Sequence, residues 1–359
     1  VDFYVTSNNF RDAVLVDDFA SVIWTERYSA FGDFTLEVPE ATYFRNLKAM
    51  KYFLCSESKH VMMIEDVVKS NQTQRDDVNM VTVKGRTIDA FLKYRNSKMF
   101  KTSASGKPES FTGSPGEVAR WVVNKYCIDP ATAGAANVVP RLKVSNYTAG
   151  GTREKMAIDR GDIYSIVKSL CDSDELGFKI ERNEEDLWFN LYRGEDKSNP
   201  TAANFKVYTP DDDSLIDITT RESITGFVNN VRAIGAKTYV DVYAAGYSAS
   251  TSGLDRRTLV VEYSDIGSGK DDEATSIAED QAELRQKARE VLANPSNKYA
   301  KLIEGDIPPA SFTKANFKLG DVVLVRDTDG GLVKSRITEH IRSVDATGKR
   351  NIPTFEGII

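Results

Sequence analysis

The side chains best suited to proton transfer, nucleophilic attack or metal binding are few in this sequence, and none has a partner at a productive spacing. Its two histidines, His60 and His340, both sit in alternating runs that read as strands. A solitary imidazole in a strand is expected to serve packing, not acid–base chemistry. No H-E-x-x-H occurs, and Cys55 with His60 supplies two ligands where a zinc site needs three or four. Residues 246–250 (GYSAS) imitate a nucleophile elbow, but Ser250 stands where the second glycine is required and no strand-to-helix turn follows. Residues 267–272 (GSGKDD) resemble the end of a phosphate loop. Ser264 occupies its first glycine position, and Asp271 replaces the magnesium-binding hydroxyl with a charge that repels phosphate. That stretch reads instead as a loop ahead of an acid-rich helix start. Asp211, Asp212 and Asp213, and the pair Asp327 and Asp329, offer oxygen ligands but fall short of a calcium shell, so solvated turns are expected there. The 53 acidic residues allow many carboxylate pairs, of which none stands out. No catalytic, cofactor-binding or metal-binding residue is assigned, and no cofactor.

The totals agree with a chain that invests in architecture. Its 359 residues suggest two or three domains, and 41% hydrophobic content suits a globular protein with a real core. A net charge of -6 argues against a nucleic-acid-binding surface, which needs a basic excess to neutralise phosphates, while leaving room for nucleic acid to pass nearby without adhering. Three scattered cysteines, Cys55, Cys127 and Cys171, are too few for a disulfide framework and are expected as buried thiols in a protein that folds in a reducing compartment. No apolar run approaches the roughly 18 residues a membrane span needs, and the start VDFYVTSNNF lacks the basic-then-apolar pattern of a signal. No membrane insertion is expected.

The elements that must carry any site are mostly strands. In IWTERYSAFGDFTLEVP, Val22, Trp24 and Tyr28 share one face before a turn at 29–33, and Phe34, Leu36 and Val38 share one face after it. Gly32, free to take a positive φ, closes the hairpin and Pro39 ends its second strand. Glu26 interrupts the apolar face, so it lies at the strand's frayed end or has a partner elsewhere. Further strands read at 52–56, 61–68 and 78–84 with polar turns between them, a spacing that suits a sandwich or small barrel. GRTIDAFLKYR follows as a short helix with Thr87 as its cap. A polar Ser/Gly/Pro-rich stretch at 101–116 marks a domain boundary. Ser114, Pro115 and Glu117 then form a capping box that opens the helix VARWVVNKYC. After a loop-rich region at 129–161 comes a helix with Ile163, Ile166, Val167 and Leu170 on one face, ended by Gly177, and then the hairpin FKIER and LWFNLYR. Strands return from 204. One long helix at 274–293 carries a narrow stripe of Ile277, Gln281, Leu284, Ala288 and Val291, with its back expected in solvent. The chain finishes as a meander through the turns TDGG and ATGK. The fold class read from this pattern is mainly β with an α/β insert. The domains are a first β-barrel at 1–98, an α/β insert at 99–203, and a second β-barrel at 204–359 with the long helix.

Four strings, in order along the chain, resemble one family. WTERYSAFGDFTLEVPE, VTVKGRTIDAFLKYR at 81–95, ITGFVNNVRAIG at 224–235 and FKLGDVVLVRD at 317–327 are similar to the baseplate-hub, or tail-tip hub, minor tail proteins of long-tailed siphophages of Gram-positive bacteria. That resemblance implies a fold similar to the contractile-tail hub, with two small β-barrel domains and two smaller α/β domains. It implies a homotrimer whose paired barrels make a pseudo-sixfold ring, joining the sixfold tail tube to a threefold tip and letting DNA pass without specific binding. It also implies the distal tail protein and other tail-tip proteins as neighbours, and a place in the virion tail tip after synthesis in the host cytoplasm. On this reading the hairpin's aromatic face fills the first barrel, since a small barrel closes only around a filled interior. Some related tail-tip proteins carry a cell-wall-cleaving or carbohydrate-binding domain after the hub. Because this sequence reaches FEGII soon after its last strands, a structural, non-catalytic role is expected, with a cell-wall hydrolase or carbohydrate-binding tail protein as the alternative.

Overall fold

A computed structural model of the chain describes all residues except 41–46, 50, 70–78, 98–108, 148–149, 151–152, 159–160, 269–276, 314–315 and 359. The polar boundary stretch at 101–108, most of GSGKDD and the start of the long helix therefore lie outside the described residues. Seven strands lead the chain: β1 (Phe3–Thr6), β2 (Val14–Val16), β3 (Ser21–Arg27), β4 (Asp33–Pro39), β5 (Tyr52–Cys55), β6 (Val61–Lys69) and β7 (Met80–Thr87). In the hairpin, Val22 pairs with Leu36 and Trp24 with Phe34. Alternation puts these four and Val38 on one face, each no more than 1% exposed. Hydrogen-bonded neighbours run β3-β4-β7-β6-β5-β1-β2.

That order and the ring contacts together require a curl. Five steps along the sheet separate β3 from β1, about 24 Å in a flat sheet at the usual strand spacing. Yet the rings of Phe3 and Trp24 are 6.4 Å apart, and Phe53 of β5 lies 5.9 Å from Trp24 and 4.7 Å from Phe34. The sheet bends until its inner face meets itself around an aromatic core. Among the described residues the strand order stays an open path, so packing rather than a closed ladder completes the curl.

Local details of this region depart from the sequence-based expectations for steric reasons. Tyr28 lies past the end of β3 and leaves the aromatic core: its hydroxyl donates to the Glu175 carbonyl at 2.9 Å and its ring meets Tyr192 edge-on. It occupies a slot that two glycines keep open, since a Cβ at Gly177 or Gly320 would lie 2.3 Å from the Tyr28 ring. Gly32 is outside the left-handed region; it is required for room, because a Cβ there would sit 2.0 Å from the Thr25 carbonyl oxygen. Thr87 makes no side-chain cap to the helix that follows, which is a 3₁₀ helix over Ile88–Tyr94. Its hydroxyl instead accepts the Gly32 N–H at 2.9 Å.

The middle of the chain contains β8 (Ser110–Gly113), α1 (Pro115–Val123), α2 (Pro130–Ala133), β9 (Leu142–Val144), β10 (Glu154–Ala157), α3 (Ile163–Ser173), β11 (Gly177–Asn183) and β12 (Asp186–Tyr192). The capping box is present, with Glu117 N–H on the Ser114 hydroxyl and Ser114 N–H on the Glu117 carboxylate at 2.8 Å. α3 ends earlier than Gly177: Glu175 takes the left-handed φ of +50°, and Gly177 begins β11. The region at 129–161 is more ordered than a loop, since it holds α2, β9 and β10. β11, β12 and β9 form one small sheet, β8 and β10 another. Their core continues into the first curl through Leu54, Val61, Ile88 and Leu92.

The last part begins with β13 (Val207–Tyr208), β14 (Ile216–Ser223), β15 (Asn230–Gly235), β16 (Tyr239–Tyr243) and β17 (Thr258–Tyr263). It ends with α4 (Ile277–Ala293), β18 (Ala300–Asp306), β19 (Val322–Arg326), β20 (Leu332–Asp345) and β21 (Gly348–Gly357). A second curl follows the order β14-β18-β21-β20, with β19 on β20 and β13 on β19. Tyr208 of β13 lies 5.2 Å from Phe355 of β21 inside it. β15, β16, β17 and α4 form a separate α/β unit around Val231, Ala233, Leu284 and Ala288. The back of α4 is not in solvent as expected. Gln286, Lys287 and Glu290 are buried, with Gln286 Nε2 on the Ser173 hydroxyl at 3.2 Å and the Ser169 hydroxyl on Glu290 at 3.1 Å. Polar side chains are thus hydrogen-bonded between α3 and α4, as burial demands. Ile277, expected on the buried stripe, is 60% exposed.

One strand ties the two curls together. β20 pairs with β21 along one edge. On the other edge its first half pairs with β19 and its second half with β3, from Glu339 opposite Arg27 to Asp345 opposite Ser21. A bulge between Ile337 and Glu339 marks the change, the usual device for re-aiming a strand. Among the described residues, 13 strands therefore share one sheet. The core of the first curl sets a testable cost: Trp24→Ala should destabilise the chain by roughly 3 to 5 kcal/mol, read as a lower midpoint in urea, and an unchanged midpoint would place Trp24 elsewhere.

Candidate functional site

The strongest concentration of functional groups lies at the seam between the curls. Glu26 points inward from β3, on the same face as Val22 and Trp24. Its carboxylate accepts the Trp24 indole N–H at 2.9 Å and the Ser58 hydroxyl at 2.5 Å. His60 Nε2 lies 3.9 Å away, and Arg342 of β20 approaches at 3.9 Å. The β3–β20 register sets this meeting, with Glu26 opposite His340 and Trp24 opposite Arg342. Arg342, its side chain 3% exposed, also lies 3.4 Å from Glu57, whose carboxylate receives Lys349 at 2.5 Å. Two of the alternatives left by the sequence are now separated: Glu26 is not frayed; it has partners from three segments.

Electrostatics and burial oppose each other here. Burial raises the Glu26 pKa, but His60, Arg342 and the Ser58 hydrogen bond together hold it down at about 2. His340 stacks on Phe312 with ring centroids 5.4 Å apart and meets the tilted ring of Phe317 at 4.8 Å, and its Nε2 lies 3.2 Å from Asn351 Oδ1. Burial, helped by Arg342, lowers its pKa to about 4, so the ring is neutral at physiological pH. A removed charge on one residue and a retained charge on another suit a fixed joint.

The remaining sequence-singled residues are dispersed. Cys55, Cys127 and Cys171 are buried free thiols, and burial raises all three pKa values, that of Cys127 to about 12, which keeps them from forming reactive thiolates. In the 246–250 loop Ser250 shares a hydrogen bond with Ser248 at 2.7 Å. Asp211 pairs with Arg326 at 3.1 Å and Asp212 accepts the Ser214 N–H at 3.0 Å. Asp327 is a correction: expected in a solvated turn, it is 8% exposed, accepting Lys301 at 2.9 Å and the Gly331 N–H at 2.7 Å. Among the described residues no three His, Cys, Asp or Glu side chains converge to hold a metal ion. Sequence reasoning missed Arg342, Glu57, Ser58 and Lys349. The available signal was that Glu26, His340 and Arg342 each place a polar group in an alternating strand.

Glu26 and His340 act in the same direction. Glu26 stabilises the fold above its unfolded value of 4.5, and that contribution is lost as pH falls toward about 2. His340 takes up a proton near 6.5 when unfolded and only near about 4 when folded, so stability falls as pH drops across that interval, by roughly 3 kcal/mol at most. Urea midpoints should decline on acidification from neutrality to about pH 4, and His340→Gln should remove much of the decline. An identical acid profile for the variant would contradict this role for His340.

The fold of the whole chain has solved counterparts. At 12% identity and a TM-score of 0.58 it is similar to the prophage MuSo2 43 kDa tail protein of Shewanella oneidensis, covering 99% of this chain and 98% of that one. It is similar to prophage tail protein gp18 of Listeria monocytogenes at 10% identity and TM-score 0.56, covering 99% and 94%. It is also similar to a tail protein of Neisseria meningitidis at 10% identity and TM-score 0.55, covering 99% and 97%. These likenesses establish the fold. No curated protein matches the chain in sequence. The family model described as siphovirus ReqiPepy6 Gp37-like protein matches residues 2–355, and the chain with its two curled sheets and shared strand belongs to that family of siphovirus tail proteins.

Proposed function

We propose that this siphovirus tail protein is a structural baseplate hub at the tail tip, a homotrimer that joins the tail tube to the tip and lets DNA pass. The observation that carries the reading is the sharing of β20 between two curled sheets, because three copies of two linked curls supply six similar units around an axis. The four hub-like strings fall on structure that fits it. WTERYSAFGDFTLEVPE forms most of β3 and all of β4, and FKLGDVVLVRD includes β19. A net charge of -6 suits a channel lining to which DNA does not adhere. The distal tail protein and other tail-tip proteins are its neighbours on this reading, in the virion.

The role is mechanical, without catalysis. The ionisable groups at the seam join one strand to another: Glu26 meets Trp24, Ser58 and Arg342, and Glu57 meets Arg342 and Lys349. Two experiments test the proposal. Light scattering coupled to size-exclusion chromatography should give three times the chain mass, and a monomer at micromolar concentration would count against the ring. Purified peptidoglycan incubated with the chain should release no soluble fragments; reproducible release would favour the hydrolase alternative.

A further inference from the structure

We propose that the α/β insert binds an extended acidic peptide segment of another protein, added as a strand to the bare edge of β9. This goes beyond the joining role and needs no ring. A groove of about 510 Å³ runs between β9 and α1, within the range of ligand-binding clefts. Its helical wall is formed by Glu117, Arg120 and Trp121 of α1 and by Asn124, the residue that caps it, whose spacing of three, four and seven places them on one helix face. Its other wall touches Leu142, Lys143 and Val144 alike. Successive strand residues point to opposite faces, so a groove that meets all three meets the strand edge-on. β9 is the outer strand of the order β11-β12-β9.

The backbone of β9 is available along that edge. Its parallel register with β12 uses the Arg141 carbonyl, which accepts Leu187 N–H at 3.0 Å, and the Ser145 N–H, which donates to Phe189 at 3.0 Å. The Val144 N–H and the Leu142 and Val144 carbonyls face the other way and have no hydrogen-bond partner among the described residues. Unpaired strand groups beside a cleft that offers both apolar and polar side chains are the substrate of strand addition.

Charge selects the occupant. Glu117 is engaged by the Ser114 N–H and by Arg153, and Lys143 is paired with Asp186 at 2.5 Å. Arg120 has no ion pair or side-chain hydrogen bond among the described residues, and its enclosed Nε is without an acceptor. A guanidinium held this way is suited to a carboxylate, which it binds through paired N–H groups. Phe111 and Trp121, stacked at 5.1 Å, with the half-buried Ile128 and Val144, supply the apolar contacts for alternate side chains of the added strand.

A random heptapeptide display library panned on the full chain tests this. Enrichment of peptides with alternating apolar residues and an Asp or Glu is expected, and fluorescence anisotropy of the enriched peptide should show saturable binding. Arg120→Ala, with its melting curve checked against the parent, should weaken binding about tenfold or more. A backbone N-methylated form of the same peptide should lose binding to the unaltered chain, which keeps the test independent of variant folding. No enrichment, enrichment without acidic residues, or full binding by the N-methylated peptide would overturn the proposal. So would saturable binding of polygalacturonate in place of peptide, which would assign the groove to an anionic sugar polymer. Since the chain's oligomeric mass is read separately, failure here leaves the hub reading standing.

Discussion

The structure depends on β20 serving two curled sheets at once. Each curl needs a strand on its open side, and a single 14-residue strand supplies both, with one bulge between its two partners on that edge. A flexible linker would let the curls turn independently; a continuous ladder of backbone hydrogen bonds fixes their relative angle. For the proposed joining role, that rigidity is the property that matters. The aromatic core of Phe3, Trp24, Phe34 and Phe53 then makes the first curl a defined shape, each large buried side chain contributing on the order of 1.5 to 3 kcal/mol.

The charged cluster at the seam has a different physical role. Replacing a buried ion pair by apolar packing is often neutral or stabilising, so Glu26, Arg342 and Glu57 are better understood as setting register. A slip of β20 by one residue against β3 would send every side chain to the other face. It would leave the Glu26 and Arg342 charges buried without opposites, which is strongly unfavourable. Hydrophobic faces alone tolerate misalignment more readily. The α3–α4 contact follows the same logic, with Gln286 and Glu290 matched to serines on the facing helix.

Much of this was legible in sequence where a local pattern had a single physical cause. Val22, Trp24, Phe34, Leu36 and Val38 lie on the buried face their alternation requires, Pro39 ends β4, and Ser114 with Glu117 forms the capping box. The failures share a cause, a contact that the local pattern does not announce, in most cases with a residue distant in sequence. Tyr28 has the parity of the core face but is drawn to Tyr192 and to the space left by Gly177 and Gly320. Gly32 owes its identity to the Thr25 carbonyl rather than to its own φ. The polar back of α4 looked solvated because nothing in its sequence announces α3. At the seam, Glu26 advertised a missing partner, yet Arg342 stands more than three hundred residues away on another strand, and only the β3–β20 register names it.

The claim that this chain is a rigid joint on the tail axis is tested most directly by cryo-electron microscopy of whole particles. The account predicts density for three copies encircling the axis where tube meets tip, each with its two curls side by side in the ring. A single copy, copies on a peripheral fibre, or curls separated by a swivelling gap would contradict it.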